Sequence, residues 1–283
     1  MFSRSILGWA AGAAAVLALS AAAGCGSSGG GPVEIADSGP EADPPLEAGP
    51  PDAPADAGRD AADAAPDVVA SGFCAGLAKT PKFCDDFDDL DLLDNWTQST
   101  VLPPSVIDLD DATFTSAPAS FVVVTKAIAA GAAGGNASLR KTLFGSVSRA
   151  SLAFSARFST TTITKGLLAI ATLDVSTNHF FTLYLRDGDA SAPAAILEEL
   201  AGSTQTRHLL TRLPVAGLWT KIVIDVDLAG GKANVTFDGL KALDDAPIDT
   251  TLGTEATIRV GAVYLFPPSD PFTAHFDDVV LDF

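Results

Sequence analysis

Basic residues are scarce in this chain. Its 283 residues include 17 Lys and Arg against 35 Asp and Glu, so the formal net charge at pH 7 is −18. A surface of that sign repels phosphate backbones, and binding to nucleic acid is therefore disfavoured. Most acids on a soluble domain serve only to solvate it, although the same surface could attract cations.

The sequence also lacks the motifs of common catalytic sites. It has no Gly-x-Ser-x-Gly nucleophile motif, and its three histidines show no regular spacing. The Gly-rich segment 131–135 lacks the Lys-Ser/Thr ending of a phosphate loop. Glu198 and Glu199 are adjacent, so in a strand they would point to opposite faces, whereas a glycoside hydrolase needs two carboxylates that face each other. We therefore predict no catalytic residue and no enzyme.

Long amphipathic helices are missing, and the short segment 196–200 is the nearest candidate for one. Alternation with period two is frequent instead. In the segment 218–240, apolar residues such as Ile222 and Ile224 alternate with more polar ones up to a Gly-rich break, and the alternation resumes at Val235. This pattern indicates a β-hairpin with one buried face, which other strands must cover.

About a dozen such segments follow one another from residue 83 to the end of the chain. Gly, Pro and Asp separate them, and no period of 20–50 residues repeats, so a propeller or solenoid is disfavoured. The pattern predicts an all-β fold, a sandwich or jelly roll of two antiparallel sheets. The predicted strands are 83–87, 106–109, 120–125, 137–144, 149–158, 166–174, 178–186, 194–200, 205–213, the two arms of the hairpin, 256–266 and 273–283.

The start of the chain has the features of an export signal. Arg4 precedes an Ala- and Leu-rich run that ends at Ala23, as in a secretory signal peptide. The sequence Ala-Ala-Gly-Cys at 22–25 resembles the bacterial lipobox, with Ala in place of the usual Leu. The resemblance implies a signal peptide over 1–24, a lipid on Cys25 and a place in the bacterial cell envelope, and Gly26 after the Cys points to the outer membrane. An ordinary signal peptide or an uncleaved anchor remains an alternative.

A polar segment separates this signal from the rest. The residues 26–72 hold eight of the chain's 18 prolines and ten acids against Arg59, with almost no large apolar residue. Such a segment cannot bury enough surface to offset the entropy of ordering. We therefore predict a disordered tether over 25–72, which as a flexible coil would reach on the order of 35–40 Å. The folded domain is predicted to span 73–283.

Only two cysteines remain in that domain, Cys74 and Cys84. In an exported protein a disulfide between them is the default expectation. Free thiols or a metal pair are the alternatives, but two cysteines without a neighbouring histidine supply only half a zinc site.

Three short motifs resemble the concanavalin A-like (laminin G-like) jelly rolls. They are the opening Phe-Cys-Asp-Asp-Phe at 83–87 with Trp96 after it, the Trp-led hairpin that ends in Phe-Asp-Gly at 237–239, and the closing Phe-Asp-Asp-Val at 276–279. The resemblance implies that the first and last strands lie side by side. It also implies that the opposite, concave sheet binds glycans or proteins.

The same resemblance implies a structural calcium ion where the last strand meets the first. Asp277 is the best candidate ligand, with Asp278, Asp85 and Asp86 as neighbours. Calcium takes six to eight oxygen ligands, and clustered carboxylates supply both oxygens and charge. The alternative is that these aspartates face solvent or cap loop N–H groups.

Aromatic residues make up only 7% of the chain, which limits the surfaces on which a sugar could stack. We expect Trp219 to pack in the core. Tyr184, Phe180 and Arg186 share one face of a predicted strand and are the candidate ligand-binding residues, unless Phe180 and Tyr184 belong to the core and Arg186 to its rim. The predicted function is non-catalytic recognition of a glycan or an extracellular partner. A structural envelope lipoprotein and a divergent glycoside hydrolase are the alternatives.

Overall fold

The computed structural model describes residues 72–89, 91–160, 167–186 and 194–283. The predicted signal peptide 1–24, Cys25 and all but the last residue of the predicted tether lie outside them. Within the described ranges the chain forms a 3-10 turn at Phe73–Gly76 and the strands β1 Phe83–Asp85, β2 Gln98–Leu102, β3 Ser105–Asp110, β4 Ser120–Thr125, β5 Gly135–Val147, β6 Arg149–Phe158, β7 Leu167–Ser176, β8 His179–Arg186, β9 Ala194–Ala201, β10 Thr204–Leu209, β11 Trp219–Asp227, β12 Lys232–Phe237, β13 Leu240–Pro247, β14 Gly253–Leu265 and β15 Phe272–Asp282.

These strands form two antiparallel sheets. Sheet A has the order β13-β12-β11-β6-β15-β4-β3, and β1 also pairs with β15. Sheet B has the order β10-β9-β8-β7-β14-β5-β2. The predicted all-β jelly-roll sandwich is therefore confirmed. No helix among the described residues has the length and hydropathy needed to cross a membrane.

The core lies between the sheets and is built from alternate residues of each strand. In β6 the residues Leu152, Phe154, Ala156 and Phe158 are all fully buried, as their shared face predicts. Phe276 of β15 lies at the centre of the part of the core that sheet A supplies. Its ring centroid is 5.7, 6.1 and 6.2 Å from the ring centroids of Phe121, Phe154 and Phe158, respectively. Burial of one such side chain contributes about 1.5–3 kcal/mol, so these rows hold the two layers together.

The first and last strands are neighbours, as the family resemblance implies. Phe83 pairs with Leu281 and Asp85 with Val279 in an antiparallel register. Cys74 and Cys84 form the predicted disulfide, which ties the segment before β1 to that strand.

The predicted strand 194–200 is confirmed as β9, which pairs with β8 on one side and β10 on the other. The sequence does not predict β2 and β13, since the first has an exposed, weakly alternating sequence and the second carries the turn-like Asp-Asp-Ala-Pro. Both are edge strands, where pairing with a neighbour overrides local preference.

Trp219 lies outside the core, contrary to the prediction. In β11 the inward residues are Thr220 and Ile222, so Trp219 lies on the outer face of sheet A, where its ring stands 6.3 Å from that of His275. The core tryptophan is Trp96, whose ring centroid lies 5.0 Å from that of Phe83.

We expect Phe276→Ala to lower the free energy of unfolding by about 3–5 kcal/mol, because it opens a cavity among three other phenylalanines. Chemical denaturation monitored by circular dichroism would measure the change. The matched control is Phe144→Ala, whose side chain is 82% exposed and should change stability by less than about 0.5 kcal/mol. Equal effects of the two substitutions would contradict the assignment of Phe276 to the core.

Candidate functional site

A continuous row of polar residues crosses the outer face of sheet B. Directly opposed residues in neighbouring strands share a face of the sheet, and the register joins one residue from each of the seven strands. In spatial order the row is Gln98, Arg140, Arg259, Thr172, Thr182, Glu198 and Arg207. With strands 4.7–4.9 Å apart, the row is about 29 Å long. We call it the polar row.

Aromatic residues flank the polar row on both sides. Tyr264 of β14 and Tyr184 of β8 both oppose Ala169 of β7, one step to one side of the row. Phe180 opposes Asp174 one step to the other side. The face therefore offers rings beside hydrogen-bonding groups, the usual composition of a small-ligand site.

The central part of this face forms an open groove with a volume of about 380 Å³. Strands β5, β7, β8 and β14 supply its walls and floor. Its lining includes Arg140, Thr172, Asp174, Phe180, Tyr184, Arg259 and Tyr264. We call it the sheet B groove.

One buried polar atom at this groove, Arg140 Nε, has no hydrogen-bond partner within the described part of the chain. The side chains of Thr172 and Asp174 face each other, and a hydrogen bond from Thr172 lowers the pKa of Asp174. An unpaired buried polar group costs about 1–3 kcal/mol, so such groups are few in folded proteins. Arg140 Nε therefore carries a cost in stability at the edge of the groove.

Ion pairs neutralise part of the polar row. Arg259 Nη2 lies 3.3 Å from Asp174 Oδ2, and Arg207 Nε donates to Glu198 Oε2 at 2.6 Å. Burial raises the pKa of Asp174, and the charge of Arg259 opposes that rise. Burial also raises the pKa of Tyr184, and the nearby carboxylate of Glu198 adds to the effect.

Glu198 and Glu199 point to opposite faces, as their adjacency predicts. Glu198 lies on the polar row, while Glu199 is buried on the inner face and bonds to His179 Nε2 at 2.9 Å. The Asp249 N–H also donates to Glu199 at 2.8 Å. The two carboxylates therefore form no facing pair.

The structure brings Phe180 and Tyr184 together at the sheet B groove. Arg186 is the last residue of the same strand, and its side chain lies outside the described part of the structure. Ligand binding by these three residues stays a prediction.

Sequence reasoning missed the charged residues of the groove. Arg140, Asp174 and Arg259 come from strands far apart in the sequence and meet only through the sheet order. The sequence carried a signal for two of them, because Asp174 and Arg259 each interrupt a largely apolar strand. A charge at such a position is rarely placed for packing alone.

The predicted calcium ligands lie where the last strand meets the first, but their oxygens serve another purpose. Asp277 is fully buried, and its Oδ2 accepts hydrogen bonds from the N–H groups of Thr115 and Ser116 at 2.7 and 3.0 Å. Its Oδ1 accepts from the Ser116 hydroxyl at 3.2 Å and from the Asp278 N–H at 2.9 Å. Asp277 thus clamps the loop before β4 onto β15.

The other three aspartates make similar contacts. Asp278 accepts from the Ser116 hydroxyl at 2.8 Å, Asp85 from the Phe87 N–H at 2.9 Å and Asp86 from the Cys74 N–H at 2.8 Å. Among the described residues no group of three or more His, Cys, Asp or Glu is arranged to hold a metal ion. At least one oxygen of each of the four carboxylates thus accepts a hydrogen bond from an N–H or O–H group of the protein. Calcium binding here stays a prediction from the resemblance alone.

We expect the folded protein to gain stability as the pH is lowered from 8 to 5. Burial raises the pKa of Asp277 to about 7 and that of Asp85 to about 6, while both carboxyls titrate near pH 4 in the unfolded chain. A raised acid pKa contributes stability that is complete below the unfolded value and is lost as the pH rises through the folded value. The expected change between pH 4 and 7 is on the order of 5 kcal/mol for the two groups together, measured by urea denaturation at several pH values.

High salt provides the control for this pH dependence. Repulsion within a chain of net charge −18 also eases at low pH, but 0.5 M NaCl screens it, whereas buried carboxyls are screened far less. A stability that is independent of pH in high salt would contradict the raised pKa values.

No family model matches the chain, and no curated protein matches its sequence. Solved structures do resemble it. An endo-β-1,4-glucuronan lyase from the fungus Trichoderma reesei aligns with a TM-score of 0.54 and 11% identity, over 72% of this chain and 95% of the lyase. This likeness shows the fold. The cellulose induced protein Cip1 aligns with a TM-score of 0.48 and 14% identity over 71% of this chain and 96% of its own. A carbohydrate binding module, CBM66 from Bacillus subtilis, aligns with a TM-score of 0.39 and 11% identity over 67% of this chain and 98% of its own.

Proposed function

We propose that the sheet B groove recognises a glycan. The observation that carries the proposal is the polar row with tyrosines along one side and Phe180 along the other, in which Arg140 Nε has no acceptor among the described residues. Sugar hydroxyls both donate and accept hydrogen bonds, so they complement a mixed set of Arg, Asp and Thr groups. The C–H faces of a sugar ring pack against aromatic rings such as Tyr184. A fold shared with a protein that acts on glucuronan accords with this choice of ligand.

We propose that the groove binds a glycan without hydrolysing it. Asp174 is bound to Arg259 through one oxygen, and Glu198 is bound to Arg207, so each of these carboxylates is held by a guanidinium group. A binding role needs only the donors and rings described above.

We further propose that the domain is displayed on the bacterial envelope, anchored by a lipid on Cys25 and held off the membrane by the tether 25–72. The order of signal, Cys and polar segment in the sequence supports this proposal. The disulfide Cys74–Cys84 accords with export, because such bonds persist in oxidising compartments.

Tyr184→Ala is expected to weaken glycan binding about tenfold, which corresponds to about 1.4 kcal/mol, because it removes one ring beside the polar row. A glycan array probed with the full chain would identify the ligands, and calorimetry would measure the affinities. The control Val106→Ala alters an exposed residue of sheet A and should leave binding unchanged. Assay of reducing ends after incubation should detect no hydrolysis.

Two results would contradict this proposal. Absence of any array ligand would favour a structural envelope protein. Release of reducing ends by the wild type would instead favour an enzyme that cleaves glycans, and the absence of a new C=C absorbance at about 235 nm would assign it as a glycoside hydrolase.

The lipid anchor has its own test. Cells fed labelled palmitate should incorporate label into the wild-type chain, and Cys25→Ala should abolish incorporation, since the thiol of Cys25 would carry the acylated glyceryl group. Cys84→Ala is the matched control, because it removes a cysteine that the structure places in a disulfide. Label that persists in Cys25→Ala would overturn the proposed anchor.

A further inference from the structure

Two arginines lie directly opposite each other at one end of the sheet B groove. Arg140 of β5 and Arg259 of β14 are cross-strand partners, and like charges in such a pair destabilise a sheet. Arg259 is compensated by Asp174 at 3.3 Å. Arg140 forms no ion pair with any described residue, and its Nε is buried without an acceptor. The charge of Arg140 also acts on Asp174, but no described carboxylate pairs with Arg140 directly.

The carboxylates of the groove lie on one side of this pair. Asp174 opposes Thr257, one step from Arg259, and Glu255 lies a further step along β14. On the opposite side the neighbours of Arg140 and Arg259 across the strands are Ser138 and Gly261, and Tyr264 lines the groove beyond them. That side carries hydroxyl groups and no acid among the described lining residues.

We propose that Arg140, assisted by Arg259, binds the anionic group of an acidic sugar, so that the glycan recognised by the groove is an acidic one. A guanidinium is planar and always charged, and its N–H donors match the two oxygens of a carboxylate or the oxygens of a sulfate ester. An anion at this position bridges two cations that otherwise repel each other. The inference rests on the proposed function, because it specifies the ligand of the same groove.

The net negative charge of the domain does not prevent an anion from binding in contact with Arg140. Residues 73–283 hold 25 acids and 15 bases, a net charge of −10. At physiological ionic strength, charges more than about 8 Å away are largely screened, whereas a buried contact with Arg140 is screened far less. The net negative charge slows the approach of an anion, and the pair Arg140 and Arg259 determines where the anion binds.

The test compares acidic sugars with neutralised copies of themselves. Calorimetry on the full chain would use oligomers of glucuronate, galacturonate and mannuronate, their methyl esters, a sulfated galactan and cellohexaose. We expect at least one acidic oligomer to bind tenfold or more tightly than its ester or than cellohexaose, with an affinity that falls as NaCl is added. A preference for the sulfated galactan alone assigns the anionic group as a sulfate and also supports the inference.

Substitutions assign the effect to one residue. Arg140→Gln should abolish the preference for the acidic sugar, and Arg140→Lys should restore it only in part because the two-pronged contact is lost. The matched control is Arg149→Gln on sheet A, whose partner is Asp227 and whose side chain is 76% exposed. Without ligand, Arg140→Gln should keep or raise the melting temperature, since it relieves the repulsion with Arg259.

The outcomes separate this inference from the proposed function. Equal affinity for an acidic oligomer and its ester, or an unchanged preference in Arg140→Gln, overturns the acidic-sugar inference and leaves glycan recognition standing. Binding of none of these sugars, together with an empty glycan array, overturns both.

Discussion

The register of β14 is the constraint on which the face of sheet B depends. This strand lies between β5 and β7, and its pairing places Arg259 beside Arg140 on one side and Thr172 on the other. A slip by one residue would turn Arg259 into the core and expose Ile258 and Val260, both fully buried. Because that slip would expose buried apolar side chains, the register that forms the core also determines the position of the polar row.

A bulge in β14 adds the aromatic flank to this row. The pairing with β7 shifts between Val260 and Tyr264, which brings Tyr264 to the groove side although simple alternation from Arg259 would turn it inward. Gly261 lies within this shift: its φ is +126°, and a Cβ there would lie 2.3 Å from the Ala137 carbonyl oxygen. The bulge thus places the Tyr264 ring on the same face as the two arginines.

The sequence reveals those parts of the fold that depend on local alternation. The inward row of β6, the central hairpin and the neighbouring first and last strands follow from period-two patterns, from the family resemblance or from both. The order of strands within sheet B does not follow from such patterns, because it depends on pairing between strands that are far apart in the sequence. Phe180 and Tyr184 could be grouped in advance because they share one strand, whereas Arg140 and Arg259 are 119 positions apart and meet only in the folded sheet.

Buried polar groups serve two different ends in the two sheets. Asp277 of sheet A accepts four hydrogen bonds and secures a loop to the last strand, so its burial is compensated within the fold. Arg140 of sheet B keeps its Nε without an acceptor among the described residues. At about 1–3 kcal/mol, that unpaired group costs an appreciable part of the 5–15 kcal/mol by which most domains are stable. This cost, increased by the like charge of Arg259 directly opposite, is the physical reason to regard the groove as a binding surface rather than as a defect of packing.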